Sequence, residues 1–196
     1  VNTWRYDTGN NNERTQSDIA VLNDGSIVVV WKSMGQGEAW NHGNIYGQRF
    51  NRAGYKLGNE FNINSECLDG NDKTPSVSKL IPDSTWNQGF VVVWNGVSGS
   101  TQDCSGVFGS VYDMEGNALG SSFGVGKNFR ISDSSSAWQA SVTHAVAGTD
   151  DYAVKGGFSV NWTDTYDCTG KSHNGTPLVC DSNRVILGKT FNATAS

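Results

Sequence analysis

Three five-residue runs that each end in tryptophan set the hydrophobic pattern of this chain: Ile27-Val-Val-Val-Trp31, Phe90-Val-Val-Val-Trp94 and Phe158-Ser-Val-Asn-Trp162. Subtracting the tryptophan positions gives spacings of 63 and 68 residues. A strand-like segment precedes each run: Ser17–Leu22, Pro75–Leu80 and Ala140–Val146. A second apolar segment follows each, Ile45–Phe50, Val107–Tyr112 and Ile186–Phe191, with a glycine at its centre (Gly47, Gly109, Gly188). In the first two copies a turn then leads to a last short strand, Glu60–Asn64 or Asn128–Ser132. Short apolar runs separated by Gly, Asn and Asp predict antiparallel meanders of four strands each, and no segment carries a helical period. The expected fold is therefore all-β, with three tandem four-stranded repeats at 18–66, 74–133 and 137–196, an N-terminal arm at 1–17, and one repeat domain over 1–196.

Strand alternation places Ile27, Val29 and Trp31 on one face and Val28 and Val30 on the other. Both faces are apolar in repeats 1 and 2, as in a sheet covered on both sides. A lone meander cannot bury two apolar faces, so the sheets are expected to stack like propeller blades, or to close as a prism. In repeat 3 one face turns polar, with Ser159 and Asn161 in place of valines. That face is read as an end cap facing solvent or an attached sugar; the alternative is that Asn161 is a hydrogen-bonded core residue. The recurring central glycine predicts a ring or backbone passing close by. Phe50, Tyr112 and Phe191, always aromatic, are read as core.

Repeat 3 reaches Ser196 before any fourth strand, while Val1-Asn-Thr3 aligns with Ile63-Asn-Ser65 at the end of that strand in repeat 1. The N-terminal stretch then closes the last sheet within one molecule, completes that of a neighbour, or belongs to a longer array. Assembly in trans is the expectation, with Val1, Asn2, Thr3 and Trp4 as donor strand. A head-to-tail contact of this kind that does not close generates a filament.

Composition narrows the setting. The net charge is −5, only 17% of residues are charged, and no basic stripe occurs, which argues against nucleic-acid partners. No apolar run approaches the roughly 18 residues that a membrane span needs. The chain starts at Val1 without a signal peptide, as expected of a processed protein or of a segment of a longer one. Cys67, Cys104, Cys168 and Cys180 form an even set without a CxxC pair. A local Cys168–Cys180 bridge would leave Cys67 with Cys104, but four cysteines allow three pairings and the sequence does not choose; buried free thiols are the other reading. Three N-x-S/T sequons, at Asn161, Asn174 and Asn192, fall in the third repeat. Together these predict an extracellular, disulfide-bonded glycoprotein.

The stretch "NDGSIVVVW…GNIYGQRFNRAGYKLGNEFNIN" (residues 23–64) resembles tandem repeats of large secreted, adhesin-like microbial surface proteins. Repeat 1 matches over Asn23–Asn64, repeat 2 over Gly89–Trp94 and Val107–Gly120, and repeat 3 over Gly157–Trp162 and Gly188–Asn192. The resemblance implies an extracellular stacked-sheet or propeller-like repeat with a structural or adhesive role, and brings no catalytic residues.

Candidate chemistry is sparse. Gly120-Ser-Ser-Phe-Gly124 matches a nucleophile elbow in letters only, since an all-β turn lacks the strand–turn–helix that the motif needs. His42, His144 and His173 lack metal-ligand spacing; His144 is read as a strand position and the other two as loop residues. Asp103, Asp164 and Asp167 are read as loop acids suited to Ca²⁺, although no calcium-loop spacing is present. Trp40, Asn41 and Tyr166, with acids and amides nearby, form a candidate sugar platform, against the alternative that the rings pack under their own loops. The expected function is a non-enzymatic, self-associating structural subunit without a cofactor; the alternative is a glycan-binding module or surface adhesin.

Overall fold

A computed structural model describes residues 14–34, 36, 43–64, 72–80, 89–97, 104–119, 128–144, 157–165, 172–173, 176–177 and 184–191. Among these residues the chain is all-β. The first sheet holds β1 (Arg14–Val21), β2 (Ile27–Met34), β3 (Gly43–Phe50) and β4 (Lys56–Asn62), paired in that order. The second repeats the arrangement with β5 (Lys73–Lys79), β6 (Gly89–Gly96), β7 (Gly106–Asp113) and β8 (Phe129–Arg130). In the third, β9 (Trp138–His144) and β10 (Phe158–Thr165) lead through a small hairpin, β11 (Ser172–His173) and β12 (Thr176–Pro177), to β13 (Arg184–Phe191). Its order is β9-β10-β13, so it has three strands where the others have four. Every pairing is antiparallel.

Local sequence sets the turns. Between β1 and β2, Asn23-Asp24-Gly25 closes a hairpin in which Gly25 adopts φ +80°, a left-handed conformation that favours glycine. Asp24 accepts from the Ser26 backbone N–H at 2.8 Å and its hydroxyl at 2.6 Å. Partial burial raises the Asp24 pKa, but these bonds and the Arg49 charge outweigh it, and the net shift is downward.

The sheets stack in chain order, and the faces follow the strand alternation. Val28, Val30 and Ile45 of the first sheet share one apolar cluster with Phe90, Val92 and Trp94 of the second. The opposite face of the second sheet, with Val91, Val93 and Val107, shares another with Phe158, Val160 and Trp162 of the third. The middle sheet is thus covered on both sides, and every residue of β6 is buried. At ~25 cal/mol per Å² of apolar area removed from water, these two interfaces dominate the stability of the stack.

Each interface contains the same aromatic group of three. Phe61 from β4 sits 6.5 Å from Phe90 and 5.6 Å from Tyr112, which stack on each other at 5.0 Å. Phe129 from β8 repeats this, 6.4 Å from Phe158 and 5.8 Å from Phe191, with that pair at 4.8 Å. Tyr112 is buried, while Phe50, on the face of the first sheet away from the second, and Phe191 are only half-buried.

The central glycines have a geometric cause. A Cβ on Gly47 would lie 2.8 Å from the Phe61 ring, and one on Gly109 would lie 3.0 Å from the Phe129 ring. The expected close approach is therefore the fourth-strand ring crossing the third strand. Beyond that ring the chain is clipped by side chains: Asn64 accepts the Ile45 N–H at 2.8 Å, and the Ser132 hydroxyl accepts the Val107 N–H at 2.9 Å.

Candidate functional site

The third sheet departs from this pattern at two places. Its outer face carries Ser141, Thr143, Ser159, Asn161, Gly188 and Thr190, none of them buried. Asn161 is exposed in mid-strand and pairs with Ser141 on one side and Gly188 on the other. This removes the reading of Asn161 as a core residue; the Ser159 and Thr190 hydroxyls bond to each other at 3.0 Å instead.

The second departure is the β13 edge. Ile186 occupies the position of Ile45 and Val107; those two face the next sheet and are 0% accessible, whereas Ile186 lies on the outer face with Gly188 and Thr190 and is 83% accessible. Ile45 and Val107 accept backbone bonds at 2.8 Å from Ile63 and Ile131, at the ends of the fourth-strand segments. Among the described residues no strand pairs with the corresponding edge of β13. Gly188 keeps the central glycine without a ring over it among the described residues: the nearest atom to a Cβ there would be the Asn161 side-chain oxygen, at 2.7 Å.

The remaining predicted positions are mostly beyond view. Val1, Asn2, Thr3, Trp4, Trp40, Asn41, Tyr166, Asn174, Asn192, Cys67, Cys168 and Cys180 lie outside the described residues, as do Asp103, Asp167, His42 and Ser122. Cys104 is described and is not a free thiol. His144 ends β9 as a strand residue. Asp164 corrects the sequence reading: it is no loop acid but a buried residue of β10, 2% accessible, that accepts a bond from the Ser134 hydroxyl at 2.9 Å. Its position two residues past Trp162 keeps it in register with Val185 of β13, so the strand runs further than the apolar run implied. Among the described residues no group of His, Cys, Asp or Glu is arranged to hold a metal ion.

One feature escaped the sequence reading altogether. The first strand of each sheet carries a bulge, marked by register shifts at Thr15/Asp18, Lys73/Ser76 and Asn161/Thr163. At each bulge a non-glycine residue is left-handed: Gln16 at φ 53°, Thr74 at 48° and Gln139 at 53°. For β-branched Thr74 this conformation is strongly disfavoured. All three residues line a single cavity of about 420 Å³, together with Asn95, Lys73 and Trp138.

Side chains at these bulges tie one repeat to the next. Gln16 accepts the Thr74 N–H at 3.0 Å, and the Thr74 hydroxyl donates to Asn95 at 2.8 Å. Asn95 accepts the Ala140 N–H at 3.2 Å and donates to the Ala137 carbonyl at 3.0 Å. One step along, Asp18 accepts from the Val77 N–H at 2.9 Å and the Ser76 hydroxyl at 3.0 Å; Ser76 in turn accepts the Val142 N–H at 3.3 Å. Asp18 also satisfies its own neighbour, the Ile19 N–H, at 2.8 Å. Non-glycine left-handed residues leave no sequence signature, since Gln and Thr read as ordinary strand residues.

No protein-family model matches the chain, and no curated protein matches it.

Proposed function

We propose that the chain is an extracellular, non-enzymatic structural subunit of propeller-blade-like repeats that joins its neighbours by strand complementation at the β13 edge. The observation that supports this reading is the β13 edge, with which no strand pairs among the described residues, whereas Ile45 and Val107 at the same position accept backbone bonds from Ile63 and Ile131. An open edge presents unpaired N–H and C=O groups, and an exposed Ile beside an empty glycine slot presents apolar surface. A donor strand satisfies both at once, which makes such a contact directional.

The donor in this reading is Val1-Asn2-Thr3-Trp4, whose Val-Asn pair matches Ile63-Asn64 in the sequence. Disulfides among Cys67, Cys104, Cys168 and Cys180, and sugars on Asn161, Asn174 and Asn192, belong to the same extracellular reading. The exposed side chain of Asn161 supports the first of these sugars.

The test is the mass of the native, non-reduced chain by sedimentation, with negative-stain images of the same sample. Filaments or a ladder of masses are expected, collapsing to monomers when Val1–Tyr6 is deleted and in Ile186→Lys. A monodisperse parent chain, or polymers that survive both changes, would overturn the assignment.

A further inference from the structure

Among the described residues, none from β13 lines the cavity where the three bulges converge. It lies at the starts of β1, β5 and β9, away from the β13 edge, and its volume of about 420 Å³ falls in the range of small-molecule sites. Two of its left-handed residues have a structural use: the Gln16 side chain reaches the Thr74 N–H of the next repeat, and the Thr74 hydroxyl holds Asn95 within its own sheet. Gln139 stands at the same position in the third sheet. Its side chain is exposed and has no partner among the described residues.

Glycine would occupy φ 53° at position 139 without strain, so a glutamine held there needs another reason. Strained non-glycine backbone and bulges both concentrate at ligand sites.

We propose that this cavity binds a neutral saccharide unit, with Gln139 as its polar contact and Trp138 as its stacking surface. The lining decides the ligand class. Sugar hydroxyls donate and accept at once, and the amides of Gln16 and Gln139 and the hydroxyls of Ser135 and Ser136 do the same. Trp138 supplies the aromatic surface on which the C–H face of a pyranose ring packs. Among the described lining residues Lys73 is the single cation, which is too little for an anion site. An apolar ligand would strip water from the amides without replacing their bonds.

The experiment is saturation-transfer NMR on the full chain with glucose, galactose, mannose and N-acetylglucosamine in turn, repeated on Gln139→Gly. Transfer from at least one sugar is expected in the parent, with at least a tenfold weaker affinity in the variant and a Tm equal to or above the parent's. No transfer from any of the four sugars overturns the proposal, and so does unchanged affinity in Gln139→Gly. A lowered Tm in that variant would make Gln139 a structural link like Gln16, and the proposal falls. Repeating the titration on Ile186→Lys separates it from assembly, because that residue lies outside the cavity.

Discussion

Gly47, Gly109 and Gly188 are one position in three copies, but their surroundings differ, and so must the effect of a methyl group there. At Gly47 and Gly109 the added carbon meets the Phe61 or Phe129 ring at 2.8 or 3.0 Å, inside a packed interface. Overpacking of that kind costs about 1–3 kcal/mol. At Gly188 its nearest neighbour is an exposed, movable Asn161 side chain, and the strand gains about 0.5–1 kcal/mol from losing a glycine. Urea unfolding is expected to show Gly47→Ala and Gly109→Ala destabilised and Gly188→Ala neutral or better; equal losses at all three would refute the assignment of the glycines to ring passage. Tyr112 supplies a test in alkali. Burial pushes its pKa up to about 12 from 10, with a smaller opposing effect from a Ser110 hydrogen bond. The folded state therefore holds this proton more tightly, and the stability is complete below pH 10 and falls as the pH rises through 12. The loss at high pH is about 2–3 kcal/mol. In Tyr112→Phe that alkaline slope should vanish; an unchanged pH profile would place the sensitivity elsewhere.

At the scale of elements, three devices recur wherever two sheets meet: an aromatic group of three, a glycine slot, and a side-chain oxygen that accepts an N–H from the next repeat. Asp18 plays that last part toward Val77, and Ser76 plays it toward Val142. The Val-Val-Val-Trp strand of the second repeat announces its two-sided burial, because alternation with valine on both faces leaves no face for water; the same pattern in the first repeat misleads, since Ile27 and Val29 there are only half-buried. Ser159 and Asn161 announce the opposite, and the exposed outer face of the third sheet agrees. Replacing both with valine rebuilds the face that the first two sheets bury, and deletes one sequon. In a background lacking residues 1–6, Ser159→Val with Asn161→Val is expected to raise the sedimenting mass with concentration, as an exposed apolar sheet face drives self-association. A mass unchanged across concentration would mean that those two positions do not end the stack.

Across the whole molecule, the two outer sheets meet through the middle one, so stability is expected to fall outward from β6, which is buried throughout, toward the edge strand β13. Amide hydrogen exchange should be slowest in β6 and β7 and fastest in β13 among the paired strands; uniform protection in all three sheets would instead indicate a single cooperative unit. Much of the architecture was legible beforehand. Period-two alternation in 27–31, 90–94 and 158–162 located the central strands, and the glycine and aromatic positions located the strands beside them. Both signals are local, because side-chain direction in a strand follows from neighbouring residues alone. The bulges were not legible, since the bonds around them reach far along the chain: Gln16 accepts the N–H of Thr74, 58 residues on, and Ser76 that of Val142, 66 residues on. Asp164 was misplaced for the same reason: its burial depends on Ser134, thirty residues earlier in the chain. The sequence by itself determined the all-β class, the repeat, and which faces are apolar, through the two-residue period of an extended chain. Only the tertiary structure decided which faces meet, where the cavity lies and which edge has no partner among the described residues, because each depends on contacts between residues that the chain brings together from separate repeats.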